Sequence, residues 1–225
     1  MEEVTVTLTQ HVAPALAIFS YVNYPKDFRI NASLLYYLSL IHNGLLVAFS
    51  TWTFLSLFEI IYSDGIVIQP NFYFQNPRFD TIIYYFYLSK YYEFADTFLL
   101  YLNGKTPILL QKYHHIGAVI SWHLSYVYKI DAIWIPSIAN SFVHTIMYAY
   151  YFGTLLKINQ IRIIRPYLTQ LQLVQQIGCM IIGNIYIPCE TTRNVIIFGI
   201  VNIYTFFLMI LFGSFYYNQY IIKKN

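Results

Sequence analysis

The chain has 225 residues, of which 10% are charged and 58% apolar, with a formal net charge of +3. A soluble domain covers its surface with about 25% charged residues, so this composition excludes an ordinary soluble globule, and equally a disordered chain, a coiled coil or a disulfide scaffold. The charge is too small to argue for a nucleic-acid partner, and what remains is an all-α polytopic membrane bundle filling residues 1–225 as a single membrane-embedded domain.

Glu2 and Glu3 stand where a cleavable signal peptide needs basic residues, so the first apolar segment is expected to stay in the mature chain. A helical span needs about 20 mostly apolar residues. Seven windows qualify, at roughly 8–24, 34–58, 80–101, 113–128, 133–156, 167–188 and 194–220. The first is short and interrupted by Pro14, and the sequence leaves open whether it crosses. Tyr24-Pro25, Gln69-Pro70, Asn76-Pro77, Asn103-Gly104 and Arg165-Pro166 punctuate the joins. Cys179 and Cys189 fall in one apolar stretch and suggest no disulfide framework.

Of the thirteen Lys and Arg, nine (Lys26, Arg29, Lys105, Lys112, Lys157, Arg162, Arg165, Lys223 and Lys224) fall on the side reached after the first window. Arg78, Lys129 and Arg193 fall on the other, and Lys90 within a span. Basic residues concentrate on cytosolic loops, so the nine mark the cytosolic side and the C-terminus is expected there. The 24 tyrosines exceed what interfacial belts use, so many rings must pack inside the bundle with their hydroxyls partnered.

Ionisable and polar residues inside spans are costly and mark sites by default. Lys90, Glu93, Asp96 and Thr97 follow one face of the third span, either as a neutralised structural pair or as a ligand site. Gln111, His114 and His115 enter the fourth span from the cytosolic side, with Gln111 beside both imidazoles. Asn140, His144, Tyr148 and Tyr151 make a continuous polar stripe in the fifth, and Thr169, Gln172, Gln175 and Gln176 line the cytosolic half of the sixth. Glutamines also serve simply to hold helices together. His42 and Asn43 in the second span are weaker signals, and His123 reads as a packed or luminal histidine. At about 1.5 Å per residue the four clusters reach the middle and cytosolic half of the bilayer, so they can line one cavity open to the cytosol. Neutral imidazoles, amides and phenols beside a Lys/Glu/Asp set suit proton transfer and carbonyl chemistry.

These segments resemble the ELO fatty-acid elongases. Lys90-Tyr-Tyr-Glu93-Phe-Ala-Asp96-Thr97 is similar to the family's KxxExxDT. Gln111-Lys-Tyr-His114-His115 resembles its HxxHH box, and the run from Asn140 through His144, Met147 and Tyr148 to Tyr151 its NxxxHxxMYxYY. Thr169-Gln-Leu-Gln172-Leu-Val-Gln175 is similar to TxxQxxQ. The resemblance covers roughly 26–220. It implies a seven-helix protein of the endoplasmic reticulum membrane, six helices forming a barrel around an acyl tunnel whose depth limits chain length. It also implies condensation of a long-chain acyl-CoA with malonyl-CoA to a 3-oxoacyl-CoA two carbons longer, with release of CO2 and CoA. Both thioesters are substrates, and no cofactor or metal is implied. Membrane lipid, a second copy of the chain and other enzymes of the elongation cycle are the implied partners.

Two positions depart from the family. Gln111 replaces the first histidine of the box, as in a subgroup resembling algal elongases of polyunsaturated C18 acids; it can orient an imidazole but not titrate. The first span is shorter than the family norm. The tail Ile222-Lys223-Lys224-Asn225 resembles a di-lysine retrieval signal displaced by one residue.

The resemblance makes His114, His115, His144 and Gln111 the expected catalytic set. A neutral imidazole of His114 or His144 can take the acyl group, with His115 orienting or moving a proton. Lys90, Glu93, Asp96, Asn140, Tyr148, Tyr151, Gln172 and Gln175 are the expected substrate contacts, Asn140, Gln172 and Gln175 donating to thioester and enolate oxygens. Lys105, Lys112, Arg162 and Arg165 would hold the CoA phosphates at a cytosolic rim. The rival readings are a transporter, with the polar stripe as a solute path, and a metal- or haem-binding bundle. Membrane di-iron enzymes use more boxed histidines than this chain's six supply.

Overall fold

The computed structural model describes residues 8–25 and 28–222. Lys26, Lys223 and Lys224, counted above, and the side chain of Cys189 lie outside the described residues. The helices are α1 (Val12–Val22), α2 (Ala32–Asp64), α3 (Pro77–Tyr92), α4 (Phe94–Leu102), α5 (Leu109–Val127), α6 (Trp134–Leu155), α7 (Arg165–Gly183) and α8 (Thr192–Tyr216). The helices α3 and α4 together make one broken rod, so seven rods answer the seven windows. There is no strand among the described residues.

The joins are written in local chemistry. Asn31 Oδ1 caps α2 by accepting Ser33 N at 2.7 Å. Asn76 Oδ1 caps α3 by accepting Arg78 N at 3.0 Å, with Pro77 opening the helix where no N–H is needed. Thr191 caps α8. Gly65 closes α2 at φ 76°, a conformation that suits glycine. The break at Glu93 involves neither proline nor glycine. The Glu93 carbonyl accepts from Asp96 N at 3.1 Å, a three-residue step, and that tightened turn re-aims Asp96 and Thr97 relative to Lys90.

Two helices, α2 and α8, are long and apolar enough to cross a bilayer on length and composition alone. The rods between them carry the polar stripes, which turn inward and lower their mean hydropathy. The 11 residues of α1 reach about 16 Å, well short of the ~30 Å hydrocarbon core.

Successive rods alternate in direction, so the bundle has two ends. At one, the starts of α3 and α6 meet the ends of α2 and α5 in an apolar cluster around Leu57, Tyr73, Phe79, Ile83 and Ile133. Asp131 is fully buried there and accepts the backbone N–H groups of Tyr73 (3.2 Å) and Phe74 (3.3 Å). Tyr73 Oη donates to Gly65 O at 2.6 Å and accepts from Val67 N at 3.0 Å. Trp134 Nε1 donates to Tyr186 Oη, which donates to Val67 O, each at 3.0 Å. Burial pushes the Asp131 carboxyl up to about 6, against the opposing pull of those backbone donors. This network closes that end, and the other end is open.

The first helix lies outside the bundle. Tyr21 stacks on Phe94 and Tyr24 on Phe98, each with ring centroids 4.2 Å apart. Tyr21 Oη is 2.9 Å from Thr97 Oγ1. Just before the helix, His11 Nδ1 meets His123 Nε2 at 2.8 Å, and His123 Nδ1 meets Tyr87 Oη at 3.0 Å. The packed reading of His123 therefore acquires specific partners. Where α5 and α8 meet, Gly117 leaves room for the Tyr204 ring: a Cβ there would fall 1.9 Å from it. Tyr204 Oη donates to the carbonyl of His114 at 3.1 Å.

Candidate active site

A cavity of about 840 Å³ runs down the bundle axis. Its walls come from α2, α4, α5, α6, α7 and α8, and among the described residues none from α1. The barrel is thus six-helical. On α6 the lining extends from Leu155 to Pro136, about 28 Å of helix. Lys105, Arg165 and Tyr220 line the open end, and Ser125, Ile133 and Cys179 the deep end.

The polar residues form two tiers. In the deeper tier, Lys90 Nζ donates to Glu93 Oε1 at 2.8 Å and to Asn140 Oδ1 at 2.7 Å. The ammonium also lies over the Phe86 ring, 4.0 Å from its centroid. With its oxygen taken by Lys90, Asn140 turns its Nδ2 to His144 Nε2 at 3.0 Å. That nitrogen must accept, so the imidazole proton belongs on Nδ1, which faces Glu93 Oε1 at 3.5 Å. Both nitrogens of His144 are therefore engaged by neighbours.

In the upper tier, nearer the open end, His42 Nε2 meets Asp96 Oδ1 at 2.8 Å and Tyr148 Oη donates to Asp96 Oδ2 at 2.8 Å. Counted from the helix ends, the Cα atoms of Asp96 and Tyr148 lie about 9–11 Å inside the open end and that of His114 about 8 Å, whereas those of Glu93, His42 and His144 lie about 14–17 Å inside. His114 lines the cavity with no hydrogen-bond partner on its ring among the described residues. It stands edge-on to His115 at 5.4 Å and to Phe212 at 6.5 Å. The two adjacent histidines do different things: His115 is buried between Tyr21 and Phe94, with Nδ1 unpartnered.

The structure brings most of the sequence-derived residues together. Glu93, Asp96, Gln111, His114, His115, Asn140, His144, Tyr148, Tyr151, Gln172 and Gln175 all line the cavity. Lys90 does not. It is buried behind Glu93 and Asn140, so its place is to support them rather than to touch a ligand. Gln111 turns away from both imidazoles, its Nε2 donating to Thr97 Oγ1 at 3.1 Å. Among the described residues, Gln172 Nε2 reaches only Met147 Sδ, at 3.4 Å. Lys105 and Arg165 stand at the mouth, while Lys112 and Arg162 are off the cavity wall.

Sequence reasoning undervalued His42, Tyr204 and Gln176, all of which line the cavity. An aspartate within the next span, Asp96, was the available signal for His42. Nothing in the sequence tied Tyr204 to His114.

Five buried polar side-chain atoms have no hydrogen-bond partner among the described residues: His42 Nδ1, Glu93 Oε2, His115 Nδ1, Gln176 Oε1 and Tyr220 Oη. All five residues line this cavity. Leaving such a group unpaired costs about 1–3 kcal/mol. The five concentrate this cost at one cavity.

The family profile described as GNS1/SUR4 (ELO) matches residues 4–225. The chain belongs to the ELO family. It is 34% identical over 145 residues to fatty acid elongase sre1 of Dictyostelium discoideum, covering 61% of this chain and 53% of that protein. It is 35% identical over 146 residues to very long chain fatty acid elongase 4 of Trypanosoma cruzi, covering 60% of this chain and 50% of the relative. It is 30% identical over 199 residues to very long chain fatty acid elongase 5 of Tachysurus fulvidraco, covering 80% and 64%. The chain thus spans about half the length of the first two relatives. As an ELO member with two helices able to span a bilayer unaided, it is a membrane protein.

Proposed function

We propose that this chain is a fatty acid elongase that condenses a long-chain acyl-CoA with malonyl-CoA, giving a 3-oxoacyl-CoA two carbons longer, CO2 and CoA. The names of its relatives support elongation. The observation that carries the chemistry is the pair of imidazoles at one cavity: both nitrogens of His144 are engaged, while those of His114 are not. A nucleophile needs a lone pair free to reach the carbonyl. His114 therefore takes the acyl group, and His144 is the fixed member of the pair.

The substrate lies with its acyl chain in the deep end and its thioester beside His114. One ring nitrogen of neutral His114 adds to the carbonyl and expels CoA as thiolate, giving an acyl-imidazolium. Malonyl-CoA then loses CO2, and its enolate attacks the same carbonyl and releases His114. His144 and Glu93 face the reacting carbonyls from below, in a geometry set by Asn140 and Lys90. Gln172 and Gln175, which line the cavity, donate to thioester or enolate oxygen, whereas Asn140 has both ends of its amide occupied and serves to position. His115 orients its neighbour. Lys105 and Arg165 at the mouth suit the CoA phosphates. The protein resides in the endoplasmic reticulum membrane with the open end and C-terminus cytosolic, in line with the basic residues on that side.

The test is condensation by the protein in membranes, with labelled malonyl-CoA and acyl-CoAs from saturated to polyunsaturated. The expected product is the 3-oxoacyl-CoA, and its chain reports substrate choice. Folded protein that turns over none of them contradicts the reading.

A further inference from the structure

Of the four histidines on the cavity wall, His42 has no part in the scheme above. That scheme has an unmet need. When neutral His114 adds to the thioester, the C–S bond breaks with its electron pair going to sulfur, leaving CoA thiolate and an acyl-imidazolium. Malonyl-CoA then releases CO2, and the electron pair left behind forms the new C–C bond and displaces neutral His114. The sum consumes one proton, which ends on the CoA sulfur. A donor beside the thioester on its CoA side would supply that proton as the C–S bond breaks.

We infer that His42, held by Asp96, is that donor: its Nδ1 passes a proton to the sulfur of the departing CoA, and the imidazole regains one from water at the cavity mouth. The inference rests on the acyl-transfer reading and adds a catalytic residue to it. Three observations carry it. The ring lines the cavity although it is only 4% exposed. Its Nε2 is committed to Asp96 Oδ1 at 2.8 Å, while its buried Nδ1 has no partner among the described residues. Its side chain bonds Asp96 of the upper tier, although its own Cα, counted from the start of α2, lies about 15 Å inside. The CoA sulfur must lie at that tier if the acyl chain fills the deep end. The titratable groups facing His42 are Tyr92 of α3, with ring centroids 5.2 Å apart, Asp96 of α4, and Tyr148 of α6 at 6.2 Å. Of these, Asp96 is the carboxylate, and it would complete an ion pair with an imidazolium at His42. Its second oxygen is fixed by Tyr148, so the pair is held in place from two helices.

The experiment is CoA release from acyl-CoA without malonyl-CoA, followed as the single-turnover burst of free thiol. It is repeated with the same acyl group on an aryl thiol acidic enough to leave unprotonated. Loss of a general acid costs about a hundredfold when the leaving group needs the proton and little when it does not. The burst of His42→Gln from acyl-CoA is expected to slow by about that factor, with the aryl thioester within about threefold of wild type. Equal slowing on both thioesters, or on neither, overturns the inference. Asp96→Asn keeps a hydrogen-bond acceptor for His42 and removes the charge. It is expected to show the same selectivity at about tenfold, and it decides the matter if His42→Gln does not fold; a uniform effect there is equally contrary. A wild-type protein that releases no CoA overturns the acyl-transfer reading and this inference with it. A normal wild-type burst with unselective variants overturns the role of His42 alone.

Discussion

Asn140 Nδ2 donates to His144 Nε2 at 3.0 Å, an orientation imposed by Lys90, whose ammonium takes the amide oxygen at 2.7 Å. The Lys90 charge thus acts on the imidazole through a third residue that cannot flip without losing both bonds. Asn140→Leu removes both and frees the His144 ring to turn. Misplacement of a reacting group by about 1 Å can cost a hundredfold in rate. Condensation by Asn140→Leu should fall by about that factor while the folded fraction in detergent, checked by size exclusion, is largely kept.

The partner of Gln111 is Thr97, which also meets Tyr21 of α1. The task of Gln111 is to tie α1 and α4 to α5, which an imidazole N–H can also do. Gln111→His should retain turnover. Thr97→Val, which removes the shared hydroxyl, should loosen α1 and speed proteolysis near Tyr24. Loss of activity in Gln111→His would mean that the amide itself contacts substrate.

Gly117 is the point where Tyr204 crosses α5. A methyl group at 117 would overlap that ring and push its hydroxyl off the His114 carbonyl. Overpacking of this kind costs about 1–3 kcal/mol. Gly117→Ala should lower the melting temperature and slow condensation together, and Tyr204→Phe should slow it without the loss of stability. An unchanged Gly117→Ala protein would contradict the close approach.

Asp131 gives the closed end a pH dependence. Its carboxyl titrates near 6 when folded and near 3.9 when unfolded. Between these values the folded chain keeps the proton and the unfolded chain has released it, so stability falls as pH rises from about 4 to about 6 and then levels off. The shift corresponds to about 3 kcal/mol. Asp131→Asn should flatten the profile. It should also cost about 1–3 kcal/mol at low pH, because the amide nitrogen cannot accept one of the two backbone N–H groups. A wild-type melting temperature constant from pH 4 to 7 would contradict this.

Much of this architecture is legible in the chain because a membrane imposes strong rules. Seven apolar windows gave seven rods, and the joins at Asn76-Pro77 and Arg165-Pro166 became helix starts. The polar stripe from Asn140 to Tyr151 turned inward, since a polar face in lipid has nowhere else to go. What escaped were properties of pairing. The helical face shared by Lys90 and Glu93 was visible, but the break at Glu93 was not, because it depends on backbone bonding rather than on a breaker residue. Spacing put Gln111 beside the histidines, yet its amide went to Thr97, a partner from a different helix. Spacing likewise could not tell that Lys90 lies behind the wall, or that His42 faces Asp96 across 54 residues.

His114, whose ring nitrogens have no hydrogen-bond partner among the described residues, is proposed to carry the acyl group in place of His144. Incubating the protein with a long-chain acyl-CoA in the absence of malonyl-CoA, followed by rapid quench and peptide mass spectrometry, tests it directly. One acyl mass is expected on the peptide bearing His114, lost on treatment with hydroxylamine and absent in His114→Ala. An acyl adduct on His144, or free CoA produced with no adduct on His114, would contradict it.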